Sequence, residues 1–138
     1  MDAFQVLDIS GDVGLKAFGK SKEEAFLNAA YGMYSLITEP EKIREKKAVL
    51  ITVEKDSLDG LLVAWLNELI FHFDAYGFIG KKITMELFSD GKISARIAGE
   101  EFDPGRHAGK LLIKAATYHK LRIREMNGSW EIDVIFDI

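Results

Sequence analysis

Cysteine is absent from the 138 residues of this chain. Disulfides, thiolate nucleophiles and cysteine-bound zinc are therefore excluded, and the redox character of the compartment stays open. Histidine is scarce, with three residues, so a transition-metal or nucleophilic centre is poorly supplied. No apolar run approaches the roughly 20 residues that a membrane-spanning helix needs. The opening Met1-Asp2-Ala3-Phe4 lacks the basic and apolar regions of a secretory signal, and a cytoplasmic location is expected. An excess of positive charge is lacking too: 18 Lys and Arg stand against 22 Asp and Glu, for a net charge of −4. A duplex-binding protein ordinarily gathers basic residues on one face. Strong autonomous nucleic-acid binding is not expected, though a local basic patch is compatible with this balance. The P-loop, the Gly-x-Ser-x-Gly elbow and the dinucleotide glycine fingerprint are all missing.

What is present is enough apolar material, 48% of residues, for one core in a single domain over residues 1–138. Phe4 to Ile9 reads as an edge strand, and Ser10-Gly11-Asp12 as a turn. Val13, Leu15 and Ala17 alternate in the manner of a second strand. Ser21 with Glu24 makes a capping box for a helix whose apolar stripe is Phe26, Ala30, Met33 and Ile37, and Pro40 forbids its continuation. The charged stretch from Glu39 to Lys47 reads as a solvated connection. Val49, Ile51 and Val53 alternate as a strand. Asp56 or Ser57 caps a second helix with a wide stripe, Leu58, Leu62, Trp65, Leu69 and Phe73, which suits packing against a sheet. Gly77 ends it. Lys82 to Phe88 and Lys92 to Ala98 flank Asp90-Gly91, a hairpin signal in which both central residues can take positive φ. After a loop from Gly99 to Gly109, Leu111 to Tyr118 and Leu121 to Glu125 are strand-like. Asn127-Gly128 is a second hairpin signal, and Trp130, Ile132, Val134 and Phe136 share one face of a last strand. The order ββαβα followed by mostly antiparallel β predicts an α+β fold. Two helices would pack on one face of a mixed, largely antiparallel sheet, with a second small sheet as an option.

Chemistry-bearing residues are few. If Trp130, Ile132, Val134 and Phe136 face one way, Glu131, Asp133 and Asp137 face the other. Asp137 brings its carboxylate close to the α-carboxylate of Ile138. Two anions so near repel unless a cation joins them, and oxygen-only donors suit Mg²⁺ or Ca²⁺; a solvated tail is the competing reading. Asp12 lies between Gly11 and Val13-Gly14, where it either stabilises a turn or meets a ligand that the glycines let approach. Asp103-Pro104-Gly105-Arg106-His107 places a carboxylate and an imidazole on a loop, or simply forms an Asp-Pro turn. His119 follows Tyr118 beside a strand. Lys114 sits among Ile113, Ala115 and Ala116, where it meets a phosphate or carboxylate or else snorkels to water. Glu68 and His72 share a helix face and make a simple side-chain contact.

These stretches together resemble the archease family. The matching pieces are Gly11-Asp12-Val13-Gly14; Ser21-Lys22-Glu23-Glu24-Ala25-Phe26; residues 61–74, LLVAWLNELIFHFD; Gly99-Glu100-Glu101-Phe102-Asp103-Pro104 with His107; Lys114-Ala115-Ala116-Thr117-Tyr118-His119; and Phe136-Asp137-Ile138. Their order spans the chain. The resemblance implies an α+β fold and a metal-binding accessory protein rather than an enzyme. The implied partner is an RtcB-type, GTP-dependent tRNA-splicing RNA ligase, whose active-site histidine is guanylylated and whose turnover is sustained. GTP and RNA are then met through the ligase. It also implies a divalent cation, Ca²⁺ or Mg²⁺, held by Asp12, Asp137 and the carboxylate of Ile138, with Lys114 and His119 on the same functional face and Asp103 and His107 as further surface candidates. Ile9-Ser10 stands where the family usually has His-Thr or a similar pair, which leaves the surroundings of that site open. Two other readings compete. One is a chaperone-like or interaction module acting on an RNA-modifying methyltransferase. The other is an independent metal hydrolase using Asp12 and Asp137 with His107 or His119.

Overall fold

The structure is a computed structural model that describes residues 3–9 and 11–138. The element order is β1 (Phe4–Ile9), β2 (Asp12–Gly19), α1 (Lys22–Ile37), β3 (Lys47–Glu54), α2 (Leu58–Tyr76), β4 (Phe78–Phe88), β5 (Lys92–Glu101), β6 (Ala115–Met126) and β7 (Ser129–Asp137), with a 3₁₀ turn at Pro40–Lys42. There are two sheets, one ordered β1-β2-β7-β6 and one ordered β3-β5-β4. Every strand pairing is antiparallel, so the α+β fold has the second sheet that the sequence left as an option, and neither sheet is mixed. No helix among the described residues is long and apolar enough to cross a membrane.

Local chemistry accounts for the helix ends. Ser21 accepts the Glu24 amide at 3.1 Å, and Glu24 returns its carboxylate to the Lys20 amide at 3.0 Å. This is a capping box shifted by one residue on its return arm. Ser57 accepts the Gly60 amide at 3.0 Å, and Gly77 closes α2 at φ 67°, the left-handed conformation that costs glycine least. Both helices feed one core. Phe26, Ala30, Met33 and Ile37 of α1 are buried, as are Leu62, Trp65 and Leu69 of α2. The Trp65 Nε1–H donates to the Phe26 carbonyl at 3.1 Å, tying the helices together. Of the two hairpins, Asn127 and Gly128 take positive φ, 55° and 82°, while Asp90 and Gly91 do not. The β4–β5 turn is instead braced by the Ser89 amide donating to the Lys92 carbonyl at 2.9 Å.

β5 runs three residues beyond its expected end. Gly99 permits this, since a Cβ there would lie 2.0 Å from the Ile79 carbonyl oxygen. The extension buries Glu100, which is 3% exposed. The Arg44 amide donates to its Oε2 at 2.5 Å, His107 Nε2 lies 3.0 Å from the same oxygen, and Arg106 meets Oε1. The Asp103 amide donates to His107 Nδ1 at 2.8 Å. That nitrogen must carry the lone pair, so the proton is on Nε2 and points at the glutamate. Burial alone would raise the Glu100 pKa. The Arg44 amide, the Arg106 guanidinium and the His107 ring outweigh it and hold the carboxyl at about 2. Within α1, the Tyr34 phenol is buried and pushed up, opposed by the Gly80 backbone, yet no hydrogen bond of ordinary geometry reaches its Oη among the described residues.

Two tests follow from these interior groups. The ordinary glutamate value is 4.5 and the folded value is about 2. A carboxylate depressed in this way contributes stability above the upper figure and loses it as pH falls through the lower one. Glu100→Gln should therefore lower the urea midpoint at neutral pH and flatten its pH dependence between those two values. A variant that follows wild type throughout that window would remove the carboxylate from this account. Tyr34→Phe deletes an oxygen that lacks a partner, so its effect should stay within about 1 kcal/mol of zero in either direction. A loss above about 2 kcal/mol in chemical denaturation would mean that the Gly80 amide is a full partner after all.

Candidate functional site

The pairing of β2 with β7 builds the site. Its register runs from Gly19 opposite Trp130 to Val13 opposite Phe136, so the next pair is Asp12 with Asp137. The same row continues outward on both sides, with Ile9 opposite Asp12 and Ala115 opposite Asp137. Val13, Leu15 and Ala17 are buried, as are Ile132, Val134 and Phe136. By alternation, Asp12 and Asp137 project from the opposite, solvent-facing side. Residues directly opposed in an antiparallel pair hold their Cβ atoms about 4.5–5.5 Å apart. Asp12 is half-buried, Asp137 is exposed and Ile138 is 43% exposed. Gly11 enters the strand at φ 81°. Ser10, beside Ile9 in the stretch that departs from the family pattern, lies outside the described residues.

Several contacts fix this row in place. The Lys114 amide donates to the Asp137 carbonyl at 2.8 Å, which carries the chain past the end of β7. From α2, Asn67 reaches the free edge of β6. Its Oδ1 accepts the Ala116 amide at 2.7 Å, and its Nδ2 donates to the Ala116 carbonyl at 3.3 Å. The side-chain amide thus pairs with the edge as a neighbouring strand would, satisfying backbone groups that would otherwise be open. One row further on, Gly14 leaves room for β1. A Cβ at that position would lie 3.0 Å from Ile9 Cδ1 and 3.3 Å from Leu7 Cβ.

The electrostatics of this face are uneven. Lys16 meets Asp133 at 2.7 Å and Arg124 meets Glu131 at 2.9 Å, so those acids are compensated. Among the described residues no ion pair engages Asp12 or Asp137. Nor does any group of three or more His, Asp or Glu side chains stand together to hold a metal ion among them. Two carboxylates brought close together repel unless a cation joins them.

The other predicted residues fall in different places. Lys114 is exposed and adjoins the row, because its own amide holds Asp137. His119 is exposed on an irregular part of β6. Asp103 and His107 belong to the loop after β5, in the other sheet. The His107 ring is 1% exposed, stacks on Phe102 at 5.4 Å between centroids and is committed to Glu100. His72 lies 3.4 Å from Glu68, the simple contact expected of that pair. Asn67 and Glu100 fall inside stretches that carry the family resemblance, but neither stands out there as a functional group. Asn67 lies on the face of α2 away from the apolar stripe, so nothing local marks its role.

Comparison with known proteins agrees with this architecture. The family model described as the Archease protein family (MTH1598/TM1083) matches residues 4–138. The chain is similar to Protein archease of Pyrobaculum calidifontis, at 38% identity over 94% of this chain and 90% of that one. It is also similar to Protein archease of Aeropyrum pernix, at 34% identity over 94% and 92%. Among solved structures, Methanobacterium thermoautotrophicum protein 1598 aligns over 100% of both chains at 31% identity and a TM-score of 0.79. A Thermotoga maritima protein described as an archease and possible chaperone shares the fold at 17% identity and a TM-score of 0.65, over 96% and 94%. With its two helices and two antiparallel sheets, and with a match running along almost its whole length, this chain belongs to the archease family.

Proposed function

We propose that this protein is a metal-dependent accessory factor that activates an RtcB-type tRNA-splicing RNA ligase. It would promote guanylylation of the ligase by GTP and its multiple turnover in tRNA splicing. The observation that supports this reading most is the opposition of Asp12 and Asp137 across the β2–β7 pair, in a chain of the archease family. In this reading Asp12, Asp137 and the α-carboxylate of Ile138 hold a divalent cation, Ca²⁺ or Mg²⁺. The donor set fits such an ion: it is oxygen-only, anionic and open to water. A bound cation supplies positive charge for phosphate oxygens.

The chain's own residues do the holding and presenting. The β2–β7 register sets the spacing of the carboxylates, and Asn67 with the Lys114 amide keeps the strand ends from separating. The low number of protein ligands leaves coordination positions open for water or for oxygen groups of a partner, so affinity in the isolated protein is modest. Lys114, exposed beside the row, offers its ammonium to a carboxylate or phosphate of that partner. The reacting groups in this scheme are the ligase's, and RNA and GTP are met through it, so this protein acts as an activator and not as an enzyme.

Calorimetric titration with Ca²⁺ or Mg²⁺ tests the ligands directly. Asp12→Ala should weaken binding by at least about tenfold, the lower end of what even outer-shell partners contribute. Deleting Ile138 keeps Asp137 but displaces the α-carboxylate by about 3.3 Å along the strand, and should weaken binding as well. Unchanged affinity in both variants would dismiss the ligand set. In a turnover assay with purified ligase, wild type should support many cycles and Asp12→Ala few. If Asp12→Ala stimulates as well as wild type, the metal-dependent reading fails. Suppression of client aggregation that survives replacement of both aspartates would then favour the chaperone-like alternative.

A further inference from the structure

The solvent-facing side of the four-stranded sheet also carries a cleft of about 450 Å³, one row away from the aspartates. Leu7 and Ile9 form one part of its floor, leaning over Gly14, and Ile135 forms another. Its wall is built by an irregularity in β6. Thr117 pairs with Ile135 and Arg122 with Asp133, so the four residues from Tyr118 to Leu121 stand against the single Val134. Lys120 sits in this bulge at φ 53°, a left-handed backbone that a lysine adopts only where its surroundings hold it. Lys120 and Arg122 both line the cleft and both are exposed. Among the described residues neither has an ion-pair partner, whereas Lys16, Arg96, Arg106 and Arg124 all do. The one acid in the cleft, Asp133, is already matched by Lys16 at 2.7 Å. An apolar floor under two uncompensated cations is therefore maintained on a chain whose net charge is −4.

We infer that this cleft binds a nucleotide unit of single-stranded RNA, with the base on Leu7, Ile9 and Ile135 and the backbone phosphates on Lys120 and Arg122. Single-strand binders combine cations that track the phosphates with side chains that take the face of a base, most often aromatic ones; here aliphatic side chains would take that place, as apolar residues do around extruded bases. Lys120 and Arg122 are two residues apart and both line the cleft, so both cations are available to the backbone of one bound strand. An acidic peptide fits less well. It would dock by adding a strand to the β6 edge, but the bulge interrupts that ladder and Asn67 occupies the Ala116 groups. Duplex RNA is disfavoured as well, because its bases are stacked away from the floor. The inference is independent of the ligase and of any cation at Asp12, since it concerns contact between RNA and this protein by itself.

Fluorescence anisotropy with a short labelled single-stranded RNA, in chelator and at low salt, tests it on the isolated protein. Two phosphate contacts predict that log affinity falls against log salt with a slope of about −1.4. Lys120→Ala with Arg122→Ala should reduce affinity by roughly tenfold or more and bring the slope near zero. Leu7→Ser should weaken binding with the slope kept. Lys82→Ala with Lys92→Ala removes the same charge from exposed positions on the other sheet and should leave binding near wild type. All four cations are exposed, and circular dichroism confirms folding of each variant. Absence of wild-type binding overturns the inference, as does equal loss in the two double variants. Tighter binding of an acidic peptide than of RNA at the same residues would overturn it too.

Discussion

The antiparallel pairing of β2 with β7 is the constraint on which the rest of this structure depends. It joins residues as far apart in sequence as Lys16 and Asp133, 117 positions. Closing so long a loop is less unfavourable than it looks. Each doubling of loop length adds about 0.6 kcal/mol, so closing this loop exceeds closing a tenth of it by only ~2 kcal/mol. Burying one large aliphatic or aromatic side chain contributes about 1.5–3 kcal/mol. The pairing buries Leu15, Ile132, Val134 and Phe136 completely, so the association is favoured with margin. The register is equally constrained. A slip by one residue would turn the apolar set of one of the two strands out to water and bring its other face, with Asp12 or Asp137, into the core. The Lys16–Asp133 ion pair adds a check on the solvent side, where it is partly shielded.

Much of this was legible along the chain because the relevant physics is local. Alternation in Val13-Leu15-Ala17 and in Ile132-Val134-Phe136 marks which side of each strand is apolar, and all six are buried, although Ile135 on the other face is buried as well. Ser21, Ser57 and Gly77 mark helix ends because capping needs only nearby backbone. Pairing partners are a different matter. The Asp90-Gly91 hairpin signal pairs β5 with β4 locally, but nothing local says that β5 also takes β3, or which strands go to which sheet. The extension of β5 to Glu101 depends on Gly99 meeting the Ile79 backbone, a contact across twenty residues of sequence. For the candidate site the chemistry was legible and the geometry was not. Asp137 beside the α-carboxylate of Ile138 suggested a cation, Asp12 joined that set only through the family resemblance, and the β2–β7 register is what brings the two aspartates opposite each other. His107 shows the reverse case. Its presence on a polar loop suggested a surface group, yet Glu100, quoted in the sequence only as part of a family stretch, holds the ring in the interior.

The solvent face of the four-stranded sheet is thus graded in charge along the strand direction. Asp12 and Asp137 form an uncompensated anionic row. The next row is apolar, with Leu7, Gly14 and Ile135. Beyond it Lys16 neutralises Asp133, leaving Arg122 without a counterion. Strand pairing alone would not create this gradient, because ladder partners that face each other tend toward complementary charge. It arises because the one lysine placed between β1 and β7, Lys16, is spent on Asp133, two rows from the aspartates. The opposite charges two rows apart stay unmatched because about 13 Å of strand, four residues at about 3.3 Å each, separates the anionic row from Arg122. At that distance solvent screening removes most of their attraction.

The bulge in β6 is the mechanical consequence of being held at both ends. Asn67 fixes Ala116 from α2, and Arg124 grips Glu131 further along. β6 carries more residues between those anchors than β7 offers partners for. The surplus has to leave the ladder, and it leaves toward solvent, since the other side is occupied by α2. Lys120 is carried out with it. Shortening the bulge would restore a continuous ladder and a flat edge, which is the arrangement that invites another strand. Keeping it replaces that hazard with a shaped, cationic wall over an apolar floor. The contacts at Ala116 and Glu131 that frame the bulge therefore also bound the wall of the neighbouring cleft, which places the cleft beside the candidate aspartate row.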